Sequence, residues 1–166
     1  MSKRKSIVDR VKLLLGDIKI SNGFPIEVKT ISDNILDTDN LHKEDTPAIS
    51  VSIYTGGSNS IITTGTNIDT VLNLTLNHFI YTNPGDNPLT ELDKLLQSVE
   101  HAILNGKYSA PWNNKYKTAS LNELPYVYYV GFDDMFNTDD GLLSLDQKAY
   151  ARWNLTIKYI HSTFEP

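Results

Sequence analysis

The sequence predicts an α+β domain: a mostly antiparallel sheet of about five strands, two helices packed on one face, and long loops or arms. Three observations predict it. Two segments carry apolar residues at helical spacing; several others alternate apolar with polar residues; and strands fall both before and after the second helix, with connections of hairpin length or longer. A chain of 166 residues, 40% of them hydrophobic, can bury one core, so residues 1–166 are expected to form a single domain.

The first helix is expected over residues 5–18, where Ile7, Val11, Leu14, Leu15 and Ile18 recur between charges and Ser6 is placed to cap. Asn22-Gly23 then turns the chain into a first strand, Phe24 to Ile31, with Pro25 at its start. A second strand covers Ala48 to Tyr54, where Ile49, Val51 and Ile53 alternate with Ser50 and Ser52. The third begins at Leu72 and reaches Tyr81, with Leu72, Leu74 and Leu76 on one face and Asn73, Thr75 and Asn77 on the other. Asn87 as cap and Pro88 in the first turn open the second helix, striped by Leu89, Leu92, Leu95, Leu96, Val99 and Ile103 and ended by Asn105-Gly106. The last two strands are Tyr126 to Phe132, apolar on both faces, and Tyr150 to His161, where Trp153, Leu155, Ile157 and Tyr159 alternate with polar residues.

If the apolar rows face the helices, the opposite face collects Ser50, Ser52, Asn73, Thr75, Asn77, Asn154 and Thr156, polar yet nearly uncharged. Such a face suits either solvent or a protected position against other protein. Three connections exceed the roughly 12–15 residues at which loops become uncommon: about 32–47, 55–70 and 107–124. They contain Ile35, Leu36, Leu41, Ile61, Ile62, Tyr108 and Trp112, poor residues to leave in water, which reads as arms that dock on neighbouring subunits or else fold back over their own domain.

The charge of −5 is too acidic for a protein whose main task is to coat nucleic acid. The absence of cysteine excludes disulfides, thiolate ligands and cysteine nucleophiles. The basic start, Lys3-Arg4-Lys5, runs into Asp9, Arg10 and Lys12 where a signal peptide needs an apolar run, and no stretch approaches the roughly 20 apolar residues of a membrane span. A soluble compartment is expected.

Chemistry finds little support. Gly56-Gly57-Ser58 has no lysine to complete a phosphate loop, and a calcium loop counted from Asp37 meets His42 at the sixth position and Ala48 at the twelfth. Asp133, Asp134, Asp139 and Asp140 before Gly141 also miss that spacing and read as a solvated acidic tip. His42, His78, His101 and His161 show no ligand-spaced pair, and each is expected at the surface or a strand end. No catalytic residue, metal or cofactor is expected.

The order of elements carries more than any motif. The leading helix with Gly16-Asp17-Ile18, then Asn22-Gly23-Phe24, the Pro47 to Val51 strand, the Leu72 to Leu76 strand and the Pro88 to Leu104 helix together resemble tail-terminator and tail-completion proteins of long-tailed bacteriophages. The closing Trp153 to Tyr159 strand is similar to that family's last sheet strand, and 107–145 lies outside the resemblance. The resemblance implies a minor tail protein that forms a homo-oligomeric ring, typically of about six copies, at the head-proximal end of the virion tail after assembly in the host cytoplasm. It implies the tail tube protein and the head connector or stopper as partners, nucleic acid only as it passes through the lumen, no membrane, and no catalysis. Candidate contacts, read from the residues, are Ile61 and Ile62, Leu36, Leu41 and Trp112, the acidic tip Asp133, Asp134, Asp139 and Asp140, and the basic terminus Lys3, Arg4 and Lys5. A head-closure or connector component is the neighbouring reading. A small metal-dependent nuclease or hydrolase using Asp133, Asp134 and His161 is the third.

Overall fold

The computed structural model describes residues 2–33, 42–53, 59–105, 121–136 and 147–162, with the backbone alone at 59–64, 105, 122 and 134–136. The first helix, α1, runs from Lys3 to Gly16, two residues ahead of its expected start. The cap is Ser2, whose side chain accepts from the Lys5 amide at 3.2 Å, while the Ser6 hydroxyl donates to the Ser2 carbonyl one turn in. Ile7, Val11, Leu14 and Leu15 are buried as expected. A short 3₁₀ turn at Ile20–Asn22 ends on Gly23, whose φ of 94° is the left-handed conformation that the turn requires.

The expected first strand is largely absent. Phe24 and Ile26 are buried, but the only pairing in this region is a short strand β1, Thr30–Ser32, parallel to β2, Ala48–Ile53. The Val28 amide donates to Ile18 O and the Lys29 amide to Pro47 O, so the segment is tied to the helix end and the lead-in to β2 instead of joining a ladder. Pro25 has no amide to offer.

After β2 come β3, Asn59–Thr64, and β4, Asn67–Tyr81. The expected arm at 55–70 is therefore mostly strand. β3 pairs antiparallel with the first part of β4 and β2 with its second part, so both lie in series along one side of β4. Between the Ile53–Leu74 and Asn59–Val71 pairs, six residues advance on the β2–β3 side against three on β4. Gly65, at φ 52°, opens the two-residue turn between Thr64 and Asn67, a position where tight hairpins need positive φ.

The second helix, α2, spans Pro88–Asn105, and Asn87 Oδ1 accepts from the Leu89 amide at 3.0 Å, so both opening signals hold. A 3₁₀ turn at Leu121–Glu123 precedes β5, Val127–Phe136, and the chain closes with β6, Lys148–Ser162. Leu121 is buried in the domain's own core, so this end of the third long connection folds back on its own subunit.

Among the described residues the sheet has six strands in the order β1-β2-β4-β6-β5, with β3 beside β4, and only the β1–β2 pair is parallel. β4 and β6 pair over their full length, from Asn67–Ser162 to Tyr81–Lys148, a ribbon about 50 Å long at the usual rise of a strand. Ile49, Val51, Leu72, Leu74, Leu76, Trp153, Leu155 and Ile157 join the α1 and α2 stripes in one core cluster. The expected α+β fold, two helices over a mostly antiparallel sheet, is the fold observed.

Candidate functional site

The register gathers the expected polar residues onto the sheet face away from the helices. Ser50 lies opposite Asn77, Ser52 opposite Thr75, Asn73 opposite Thr156, and Thr75 opposite Asn154. The face is less neutral than the sequence suggested, because β6 adds Lys148, Arg152 and Lys158 in the same alternating row. Ser50, Asn73, Asn77 and Thr156 are buried. Asn77 Nδ2 donates to Ser50 Oγ at 3.1 Å. Thr156 Oγ1 lies 2.6 Å from Asp133 Oδ2 and 2.8 Å from the Asn73 side-chain amide. A hydroxyl carries one proton, which goes to the Asp133 carboxylate oxygen, and the Asn73 contact is met when its NH₂ faces Thr156. Thr156→Val removes both bonds while keeping shape, so we expect a loss of about 1–3 kcal/mol, read from the urea midpoint.

Asp133 is thus placed on the polar face and is exposed. The structure does not bring it to His161. Asp133 pairs with Asn154, seven residues along β6 and on the opposite face from His161, a separation of about 23 Å at the usual strand rise. His161 Nε2 instead meets Thr70 Oγ1 at 3.1 Å, and its ring stacks on Tyr159. Among the described residues no three His, Cys, Asp or Glu side chains come close enough to share a metal ion.

The basic terminus forms the first turn of α1. Lys3 Nζ donates to Ile160 O at 3.3 Å and lies 4.9 Å from the centre of the Tyr126 ring, Lys5 pairs with Asp9 at 2.7 Å, and Arg4 is exposed. Ile61 and Ile62 fall in β3, paired with Asp69 and Ile68, and Asp134 falls within β5; their side chains are outside the described residues. Leu36, Leu41, Trp112, Asp139 and Asp140 also lie outside the described residues, as do Ile35 and Tyr108.

Two surfaces that the sequence reading missed stand out. One is aromatic. The register slips between Val127 and Tyr129, so the extra residue Tyr128 and its neighbour Tyr129 are left 51% and 41% exposed, beside Ile160 at 39%. The Tyr128 hydroxyl donates to the Asp69 carboxylate, which pushes the phenol's pKa up to about 12. Lys158 Nζ lies 4.9 Å from the centre of the Tyr129 ring, whose hydroxyl reaches over Gly131, where a Cβ would come within 2.6 Å. A run of three tyrosines in four residues, more than one buried face can use, was the available signal.

The other surface is a groove of about 290 Å³ on the helix side, between α2 and Trp153. Leu89, Leu92 and Leu96 give it apolar walls, and the exposed Asp93 and Glu100 give it an acidic rim. Leu13, on the outer side of α1, and Ile20 are also exposed, at 58% and 66%.

Among the described residues no helix is long and apolar enough to cross a membrane. No known protein-family model matches this chain, and no curated protein is a significant match to it. The described residues form an α+β fold with one core cluster and exposed apolar side chains on both sides of the sheet.

Proposed function

We propose that this chain is a structural virion protein, a tail-terminator-like subunit that closes into a ring on the phage tail tube, ends its polymerisation and offers the joining surface to the head. The observation that supports the reading is a pair of unlike surfaces: Tyr128, Tyr129 and Ile160 exposed on one side of the sheet, and on the other the α2 groove, whose Leu92, Leu96 and Trp153 are buried and whose Leu89 is 36% exposed. The Tyr128–Tyr129–Ile160 patch and the α2 groove are different in shape and lie on opposite sides of the sheet. Contacts between unlike surfaces are heterologous, and a heterologous contact repeated around an axis gives a ring where its rotation closes and a filament where it does not. Exposed Tyr128, Tyr129, Ile160 and Leu89 are the side chains that such a contact would cover. The order of elements, which resembles the tail-terminator family, supplies the tail and head partners of this reading.

Electron microscopy of the purified protein tests it: closed rings of about six subunits are expected. Added to growing tail tubes, the protein is expected to bind one end and stop elongation. A monomer at every concentration, with no effect on tubes, would refute the reading. Rings that bind the head-side connector but ignore tube ends would move the assignment to a head-closure component.

A further inference from the structure

We infer that the ring contact is made by the basic, aromatic end of the sheet of one copy seated in the acidic α2 groove of the next. This rests on the ring reading and names its two surfaces. The donor surface is organised around the first turn of α1. Lys3 is tied to the sheet by its bond to Ile160 O and its position over Tyr126, which brings Lys3-Arg4-Lys5 to the strand end that carries exposed Ile160. Lys158 adds a further cation at the Tyr129 ring, and the nearby Asp69 carboxylate is engaged by the Tyr128 hydroxyl.

The placement of those charges is unfavourable for the isolated helix. The N-terminal turn of a helix favours anions, yet the first turn of α1 has no acidic residue and three basic ones. Lys5 is answered locally by Asp9, and Lys3 by Ile160 O and the Tyr126 ring, so the cation whose placement points to a use elsewhere is the exposed Arg4. The acceptor surface has the opposite character. Leu89, Leu92, Leu96 and Trp153 line the α2 groove together with Gln97, while Asp93 and Glu100 stand at its rim, and among the described residues no basic one lines it. A second copy of this chain is the occupant that the charges fit: aromatic and aliphatic side chains enter the apolar groove while Arg4 and Lys158 meet Asp93 and Glu100. Since the two surfaces do not overlap, every copy can give and receive at once.

Sedimentation velocity on the full chain, over a range of concentrations and at low and high salt, tests the pairing. D93K/E100K and R4E/K158E are each expected to weaken self-association about tenfold or more, because like charges then face each other. The chain carrying all four substitutions restores opposite charges and is expected to return to within about threefold of the native protein. Native association should also weaken with salt. Circular dichroism checks that each variant folds. Either reversed pair associating as tightly as the native chain, or the fourfold variant folded but still monomeric, overturns this pairing and leaves the ring reading standing. A native chain that never associates overturns both.

Discussion

Leu155→Ala is expected to cost about 2–5 kcal/mol, the range for emptying a buried leucine site whose surroundings relax only in part. Leu155 has no exposed surface and sits between two partners, Leu74 on β4 and Phe132 on β5, with its side chain in the core shared with the helices. Strands paired on both sides cannot close on a void without disturbing two ladders, which places the cost in the upper part of that range. Domains hold together by about 5–15 kcal/mol, so the variant should lose a large share of its stability and about 6–15 °C of melting temperature. The measurement is a urea titration followed by circular dichroism: the midpoint should fall with an unchanged slope, which marks lost stability in an otherwise similar fold. Leu13→Ala is the matched control. Its side chain is 58% exposed, so a change within about 0.5 kcal/mol is expected. Equal losses at the two positions would mean that the helix layer does not cover the sheet as described.

The elements that could be read from sequence are those in which several local signals agree. For α2, the Asn87 cap, the Pro88 start and the leucine stripe all name the same helix. β6 and the Leu72–Leu76 part of β4 follow from strict alternation. Phe24, Ile26 and Val28 alternate as well, yet only Thr30–Ser32 pairs, because alternation reports which side chains are buried and not whether the backbone finds a ladder. The β3 error has the reverse cause. Ser60-Ile61-Ile62-Thr63-Thr64 before Gly65 is a β-branched run with a turn glycine, a hairpin signal masked by the polar composition around it. Of the candidate contacts, the position of the basic terminus became meaningful only with the fold, since Lys3 and Ile160 are 157 residues apart. The aromatic patch depends on the register slip at Tyr128, and the acidic rim on which way α2 turns Asp93 and Glu100; neither is written in local composition.

The second large effect is loss of stability in mild acid, centred on His78. The expectation that every histidine lies at the surface or a strand end fails here: His78 is fully buried, continuing the Leu72, Leu74, Leu76 row onto the core face. Its ring meets Trp153 edge-on at 5.4 Å, and Nδ1 lies 3.1 Å from Ala151 O. A carbonyl only accepts, so the proton sits on Nδ1, and Nε2 is buried with no partner among the described residues. Charging the ring would add an N–H at Nε2 with nothing to receive it. Burial therefore lowers the pKa to about 4, opposed only by the Ala151 carbonyl, and no charged side chain contributes. The unfolded chain takes up this proton near pH 6.5, well before the native state does. Stability is thus complete above about pH 6.5, falls as the pH drops toward 4, and at pH 5 should be lower by about 2 kcal/mol. His101, lowered by burial in the same direction, adds to the trend. His78→Gln keeps an amide that can donate to Ala151 O but cannot titrate, so its urea midpoint should change far less between pH 7 and 5 than the native one. If the native and His78→Gln curves run parallel through that interval, the histidine is charged or hydrated in the folded protein, and the core around Trp153 is more open than the packing shows.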